Sequence, residues 1–147
     1  MKIIKSLMMA MLLVVALPMC ADRDKVIAFE QLPASAQGFL KKNFPGKTPL
    51  LVTTDYDGLQ KSFDVSYSDG TSVEFDAKGN WTDVECPRTG CVPKAVVPSG
   101  IKNFVAKNYP QEKIVKIDRD RLGYDVNPSN GLELEFTRHQ KLKKIDN

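Results

Sequence analysis

The chain has 147 residues, which is enough for one ordinary domain or two small ones. It carries 21 Lys and Arg residues against 18 Asp and Glu residues, a formal net charge of +3. Removing an N-terminal export signal that contains Lys2 and Lys5 would lower that charge to +1. A chain this close to neutrality offers no electrostatic argument for nucleic acid or a membrane surface as a partner.

Residues 1–21 are predicted to be a secretory signal peptide. Lys2 and Lys5 give a positive start, and Leu7–Leu17 is an apolar run that ends at Pro18. Because this run is too short to span a bilayer as a stable helix, cleavage is the better interpretation. We therefore expect a periplasmic or secreted protein.

The cleavage position has two alternatives. Cleavage near Ala21 leaves a soluble protein, whereas lipidation of Cys20 would anchor the chain to a membrane. A lipoprotein signal needs a small residue before the cysteine, and Met19 is large. This favours cleavage near Ala21, with an association with the membrane only if Cys20 is lipidated.

Residues 22–86 are predicted to form a first helix-plus-sheet unit. Apolar residues in Leu32–Pro45 recur at helical spacing, and Pro45-Gly46 ends the pattern. Alternating or β-branched stretches separated by turn residues follow and indicate antiparallel strands. The predicted strands are Pro49–Thr54, Lys61–Tyr67, Thr71–Asp76 and Trp81–Glu85.

Residues 97–147 repeat the same order after a connector at 87–96. Val97–Pro110 matches the first helix, and strand patterns follow at Lys113–Arg119, Tyr124–Val126 and Leu132–Phe136. We therefore predict an α+β fold made by tandem duplication of one unit. Each unit has one amphipathic helix followed by a three- to four-stranded antiparallel sheet.

These motifs resemble the PepSY-like, putative beta-lactamase-inhibitor-like family of secreted bacterial proteins. The resemblance covers nearly the whole mature chain and depends on LP, FL, NFPG, FDVSYSDGT, VEFD, KGNW, NYP and SNGLELEF. It implies two helix-plus-sheet units in an exported protein. It implies no established activity, since a shared fold does not transfer a function.

Cys86 and Cys91 remain as an even pair once Cys20 is removed. They enclose four residues, a spacing longer than that of thioredoxin-type redox motifs. In an oxidising compartment, a structural disulfide is therefore favoured over a redox pair. Such a bond would contribute about 2 kcal/mol to stability through loop closure.

No pattern in the sequence indicates an enzyme. The single histidine, His139, lies in a predicted turn between strands, and no phosphate loop or metal-binding spacing occurs. Asp55 and Asp57 precede Gly58, but the remaining ligands of a calcium loop are missing, so a hairpin turn is favoured. We expect no catalytic residues, no metal and no cofactor.

The side of the predicted hairpins that faces away from the helices is predicted to be acidic. Strand alternation places one set of polar residues on this side. The set is Asp64, Ser66, Glu74, Asp76, Asp125, Asn127, Glu133 and Glu135. We expect the lysines elsewhere, on the helices and near the C-terminus. An ordinary solvated face is one interpretation, and a surface that docks a basic or polar protein segment is the other.

The residues thus favour an exported, non-enzymatic protein-binding or inhibitor-like module whose partner is an exported protein or peptide segment. The alternative is an envelope-associated structural protein, anchored through Cys20 as a lipoprotein. A small-ligand carrier would need a pocket between helix and sheet, where the large apolar side chains indicate a filled core.

Overall fold

The computed structural model describes residues 24–147. The predicted signal peptide at 1–21, including Cys20 and the cleavage position near Ala21, lies outside the described residues. A 3-10 turn at Phe29–Gln31 precedes helix α1 (Ala34–Asn43), and helix α2 spans Ser99–Asn108. The strands are β1 (Asp24–Val26), β2 (Leu51–Asp57), β3 (Gln60–Ser66), β4 (Ser72–Asp76), β5 (Trp81–Glu85), β6 (Ile114–Arg119), β7 (Gly123–Pro128), β8 (Glu133–Thr137) and β9 (Leu142–Asp146).

The nine strands of residues 24–147 form one antiparallel sheet in chain order, β1 to β9. The prediction of a tandem α+β duplication with two separate sheets is therefore wrong, because this part of the chain is a mostly-β single sheet with two α-helices. Strands β5 and β6 join the two predicted units, through Asp83↔Asp118, Val84↔Ile117 and Glu85↔Lys116. This pairing satisfies backbone groups that two free sheet edges would leave without partners.

Both helices pack on the same face of the sheet. Ala36 and Leu40 of α1, and Ile101 and Val105 of α2, are buried in one continuous core. These positions follow the helical spacing read from the sequence, so each helix buries one apolar stripe. The other face carries the alternate residue of each strand and has neither helix against it.

Aromatic side chains fix each helix on its strands. The ring of Phe39 meets Phe75 edge-on at 5.6 Å between centroids, and Phe104 meets Phe136 at 5.4 Å in the same geometry. Edge-to-face pairs of this kind add about 0.5–1.5 kcal/mol beyond their burial. Both helices therefore pack on the core side of the sheet, and the opposite face is not covered by either helix.

In each half, the turn before the last strand contacts the first turn of the helix. The side chain that makes the contact belongs to the helix in the first half and to the turn in the second. In the first half, Ser35 of α1 donates a hydrogen bond to the Lys78 carbonyl at 2.8 Å, beside Gly79. In the second half, Gly100 of α2 donates its N–H to the Gln140 side chain at 2.7 Å. Gln140 takes a φ of 62°, the left-handed conformation that Gly79 adopts at 83°.

Candidate functional site: the acidic sheet face

Six carboxylates lie side by side across six neighbouring strands on the face without helices. Strand register pairs them successively, as Asp64↔Glu74, Glu74↔Asp83, Asp83↔Asp118, Asp118↔Asp125 and Asp125↔Glu135. Directly paired residues on one face have Cβ atoms about 4.5–5.5 Å apart. We call this set, Asp64, Glu74, Asp83, Asp118, Asp125 and Glu135, the carboxylate row.

Four of the residues predicted for the acidic face belong to this row, namely Asp64, Glu74, Asp125 and Glu135. The remaining four lie on the same face beside the row. Their strand partners, by register, are Ser72 for Ser66, Ser62 for Asp76, Lys116 for Asn127 and Asp146 for Glu133. The structure therefore places all eight on one surface, while their role in binding stays a prediction.

Sequence reasoning missed Asp83 and Asp118, which join the two ends of the row. A β-bulge between Glu74 and Phe75 sets Trp81 opposite Phe75, so that Thr82 is the extra residue and Asp83 points to the acidic face. Asp118 follows the buried Ile117 in an alternating strand, and this alternation is the sequence signal that could have placed Asp118 on the acidic face. Neither residue can be placed beside the other without the β5–β6 pairing.

Burial, together with like charge, raises the pKa of five carboxylates of the row. Burial, and after it the neighbouring carboxylates, raises the pKa of Asp64, Glu74 and Asp125. The change is large at the centre, where burial and then Asp83 raise the pKa of Asp118 to about 6. One oxygen of Asp118, Oδ1, is buried without a hydrogen-bond partner among the described residues.

Lysines partly offset this charge, and they lie closer to it than the sequence predicts. Lys116 Nζ is 3.6 Å from Asp83 Oδ2 and 3.8 Å from Glu85 Oε2. Lys143 Nζ is 2.6 Å from Glu135 Oε1 at the other end of the row. The expected separation of acidic and basic sides is thus incomplete. Four members of the row form no salt bridge within residues 24–147, namely Asp64, Glu74, Asp118 and Asp125.

Asp76, beside the row, has a structural task. Its Oδ1 accepts hydrogen bonds from the backbone N–H groups of Lys78 and Asn80, each at 2.9 Å. Burial alone would raise the pKa of Asp76, but the hydrogen bonds from Asn80 and Lys78 outweigh it and lower that pKa. This carboxylate therefore holds the β4–β5 turn and is less free to meet a partner.

The two cysteines lie on the connector side, away from the row. Both are free cysteines in the structure, Cys86 buried and Cys91 exposed, and both line a cavity of about 220 Å³. Burial raises the pKa of the Cys86 thiol, which opposes a reactive thiolate there. The predicted disulfide stays a prediction.

We expect the exported protein to resist alkylation until it is reduced, because the oxidising compartment favours the Cys86–Cys91 bond. Intact mass spectrometry after alkylation, with and without reductant, measures this directly. Labelling of both cysteines without reductant would refute the disulfide. The same mass distinguishes cleavage near Ala21 from lipidation at Cys20.

The other sequence candidates have ordinary surroundings. His139 is exposed in the β8–β9 turn, and Asp55 and Asp57 belong to β2 just before its hairpin turn at Gly58. Among residues 24–147, no group of three or more His, Cys, Asp or Glu side chains could hold a metal ion. No helix in this part of the chain is long and apolar enough to cross a membrane.

The family described as putative beta-lactamase-inhibitor-like, PepSY-like matches residues 61–144, more than half of the chain. The chain belongs to this PepSY-like family. This confirms the family that the hairpin and turn motifs indicated. A comparison with curated proteins finds no match.

Solved structures of periplasmic proteins from Bacteroides are similar throughout. A putative periplasmic protein from Bacteroides vulgatus is 45% identical, with a TM-score of 0.83 over 86% of this chain and 99% of that one. A putative calcium-regulated periplasmic protein from Bacteroides thetaiotaomicron is 42% identical, with the same TM-score and coverage. A third, from Bacteroides vulgatus and of unknown function, is 31% identical, with a TM-score of 0.80 over 84% of this chain and 99% of that one.

Proposed function

We propose that this PepSY-like protein is an exported, non-enzymatic binding module, inhibitor-like in its action, whose acidic sheet face binds a basic segment of another exported protein. The observation that carries the proposal is the carboxylate row, six acids in register across six strands. The periplasmic descriptions of its structural relatives and the inhibitor-like description of its family support the setting.

The energetics of the row favour a cationic partner. Directly opposed like charges destabilise a sheet, and here only Lys116 and Lys143 form salt bridges to the row within the described chain. A lysine or arginine side chain placed over Glu74, Asp118 or Asp125 would relieve this repulsion and gain a charge-assisted hydrogen bond. An extended basic segment could do so at several strands together.

Neutralising the row is expected to weaken binding of a basic peptide. The probe is a short fluorescein-labelled peptide of alternating lysine and serine. Its binding is measured by fluorescence anisotropy at low and at high salt. At about 0.7 kcal/mol for each lost charge, the double variant Asp64→Asn with Glu74→Gln should bind about tenfold more weakly. Added salt should weaken wild-type binding, because it screens exposed charges.

A matched variant distinguishes the effect of charges on the acidic face from the effect of the protein's net charge. Glu30→Gln with Glu112→Gln also removes two negative charges, but both residues line grooves on the helix side. This variant should bind the peptide like wild type. Equal losses in both variants, or no loss in either, would exclude the row as the binding surface. Affinity capture from periplasmic extract with wild type and the row variant would then identify the partner.

Calcium is a second candidate, favoured by the description of the 42% identical relative as calcium-regulated. Carboxylate oxygens are the ligands that Ca²⁺ prefers. Since residues 24–147 contain no ready group of three metal ligands, calcium here would act by competing with a basic partner. Calcium that displaces the peptide from wild type at constant ionic strength would support this role, and calcium without effect would exclude it.

A further inference from the structure

A groove on the helix side of the sheet is bounded by the connector, α2 and the start of β6. Its volume is about 370 Å³, and its floor includes Val92, Val97 and Val105, each at most 5% exposed. A hydrogen bond of 2.8 Å from the Val92 N–H to the Ile114 carbonyl holds the connector against β6. The connector is therefore held against β6, and the floor of the groove is aliphatic.

The mouth of this groove is basic. Lys94, Lys102 and Lys113 line it, and none of the three forms a salt bridge with any residue in 24–147. The one acid in the lining, Glu112, accepts a hydrogen bond from the Ser129 hydroxyl. Three lysines thus lie beside an aliphatic floor, and none of them forms a salt bridge with Glu112 or with any other acid of residues 24–147.

The corresponding groove beside α1 differs in this respect. It has about 490 Å³ and two lining lysines, but Lys47 Nζ is 2.6 Å from Asp69 Oδ2. Lys41 Nζ lies 5.8 Å from the centroid of the Phe29 ring. Both cations therefore have partners from the chain itself. The absence of such partners for the lysines beside α2, within residues 24–147, is a property of that groove and does not follow from the shared architecture.

We propose that the α2 groove binds a small amphipathic carboxylate of the medium-chain fatty acid class. The alkyl chain lies on the valines, and the carboxylate meets Lys94, Lys102 and Lys113 at the mouth. An aliphatic floor with a few convergent charges is the usual composition of a small-ligand site. The site lies on the opposite side of the sheet from the acidic face and is independent of the function proposed for that face.

Isothermal titration of the mature protein with hexanoate, octanoate and decanoate tests the site. Affinity should rise about threefold to fourfold with each added methylene, because each buried CH₂ contributes about 0.8 kcal/mol. Decylammonium has the same tail and the opposite charge, and it should bind at least about tenfold more weakly than decanoate, since like charges at the mouth repel it.

Two variants locate the site, and one matched variant controls for charge. Lys102→Glu reverses a lysine at the mouth, and Ala106→Glu introduces an acid at an exposed position in the lining. Each should weaken decanoate about tenfold or more. Lys107→Glu changes the same charge on the same helix but lies outside the groove lining, and it should leave the affinity unchanged.

Several results would overturn the proposal. They are no decanoate binding by the folded wild type, equal binding of decylammonium, or equal effects of Lys107→Glu and Lys102→Glu. Phosphatidylglycerol vesicles that bind the protein through Lys102 while free decanoate does not would assign the groove to a membrane surface instead. Circular dichroism of every variant confirms that a lost affinity does not reflect unfolding.

Discussion

Replacing Gly123 with alanine is expected to lower the free energy of unfolding by about 3 kcal/mol, the upper part of the range for steric overpacking. Gly123 begins β7 and pairs with Thr137 of β8. A Cβ built there would collide with the Phe136 carbonyl oxygen and lie 3.0 Å from the Phe136 carbonyl carbon. Because these are backbone atoms of an interior strand, relief requires β7 and β8 to separate. Urea unfolding followed by circular dichroism measures the change.

Gly38→Ala is the matched control for this substitution. Gly38 is exposed within α1, and a Cβ there meets nothing within 4 Å. Alanine should raise the free energy of unfolding by about 1 kcal/mol through helix propensity. Opposite signs at the two glycines would attribute the loss to the β7–β8 contact. A Gly123→Ala protein as stable as wild type would contradict the close approach of these strands.

Replacing Asp118 with asparagine is expected to stabilise the protein by about 1–2 kcal/mol near pH 7.5 and to change it little near pH 4. Burial and Asp83 raise the pKa of Asp118 from 3.8 to about 6. The full shift of about two units would correspond to about 3 kcal/mol, and partial exposure with solvent screening reduces it. An asparagine amide can donate to Asp83 at any pH.

The pH dependence follows from the direction of this shift. Between about pH 4 and pH 6 the folded protein holds a proton on Asp118 that the unfolded chain has lost, so stability falls as pH rises through this window. Groups that set the field at Asp118 are Lys116 on its own strand, Asp83 on β5, Asp125 on β7 and Glu133 on β8. The Asp118→Asn variant should lose this slope in urea unfolding across the window.

Asp76→Asn is the control of opposite sign, because hydrogen bonds lower the pKa of Asp76. In the wild type, the ionised Asp76 side chain stabilises the fold above about pH 4, and this contribution is lost as pH falls. The variant should therefore be destabilised by about 1 kcal/mol near neutral pH. An Asp118→Asn protein that is also destabilised near neutral pH would show that the centre of the row is not repulsive.

Local patterns in the sequence predict the elements well. Both helices begin and end within two residues of the predicted Leu32–Pro45 and Val97–Pro110, since apolar spacing and the flanking prolines act locally. The hairpins around Gly70 and Gly131 are predictable for the same reason. Eight residues of the acidic face could be assigned because side chains alternate along each strand.

The continuity of the sheet is not predictable in this way. Strands β5 and β6 are separated by the connector and α2, so no turn signal specifies that they pair. The β4–β5 bulge adds one residue and shifts the alternation between Trp81 and Asp83. Both features lie at the centre of the sheet, which is why sequence reasoning missed Asp83 and Asp118, the middle of the carboxylate row.

The order of the strands has a consequence for how the chain folds. Every strand of residues 24–147 pairs only with its neighbours in sequence. Six of the eight pairings are hairpins, and only β1–β2 and β5–β6 enclose an α-helix. Contacts of short sequence separation require little loop-closure entropy and are associated with fast folding. Although the sheet is wide, nearly every strand therefore finds its partner close by in the sequence. The pairing of β5 with β6 closes the longest loop.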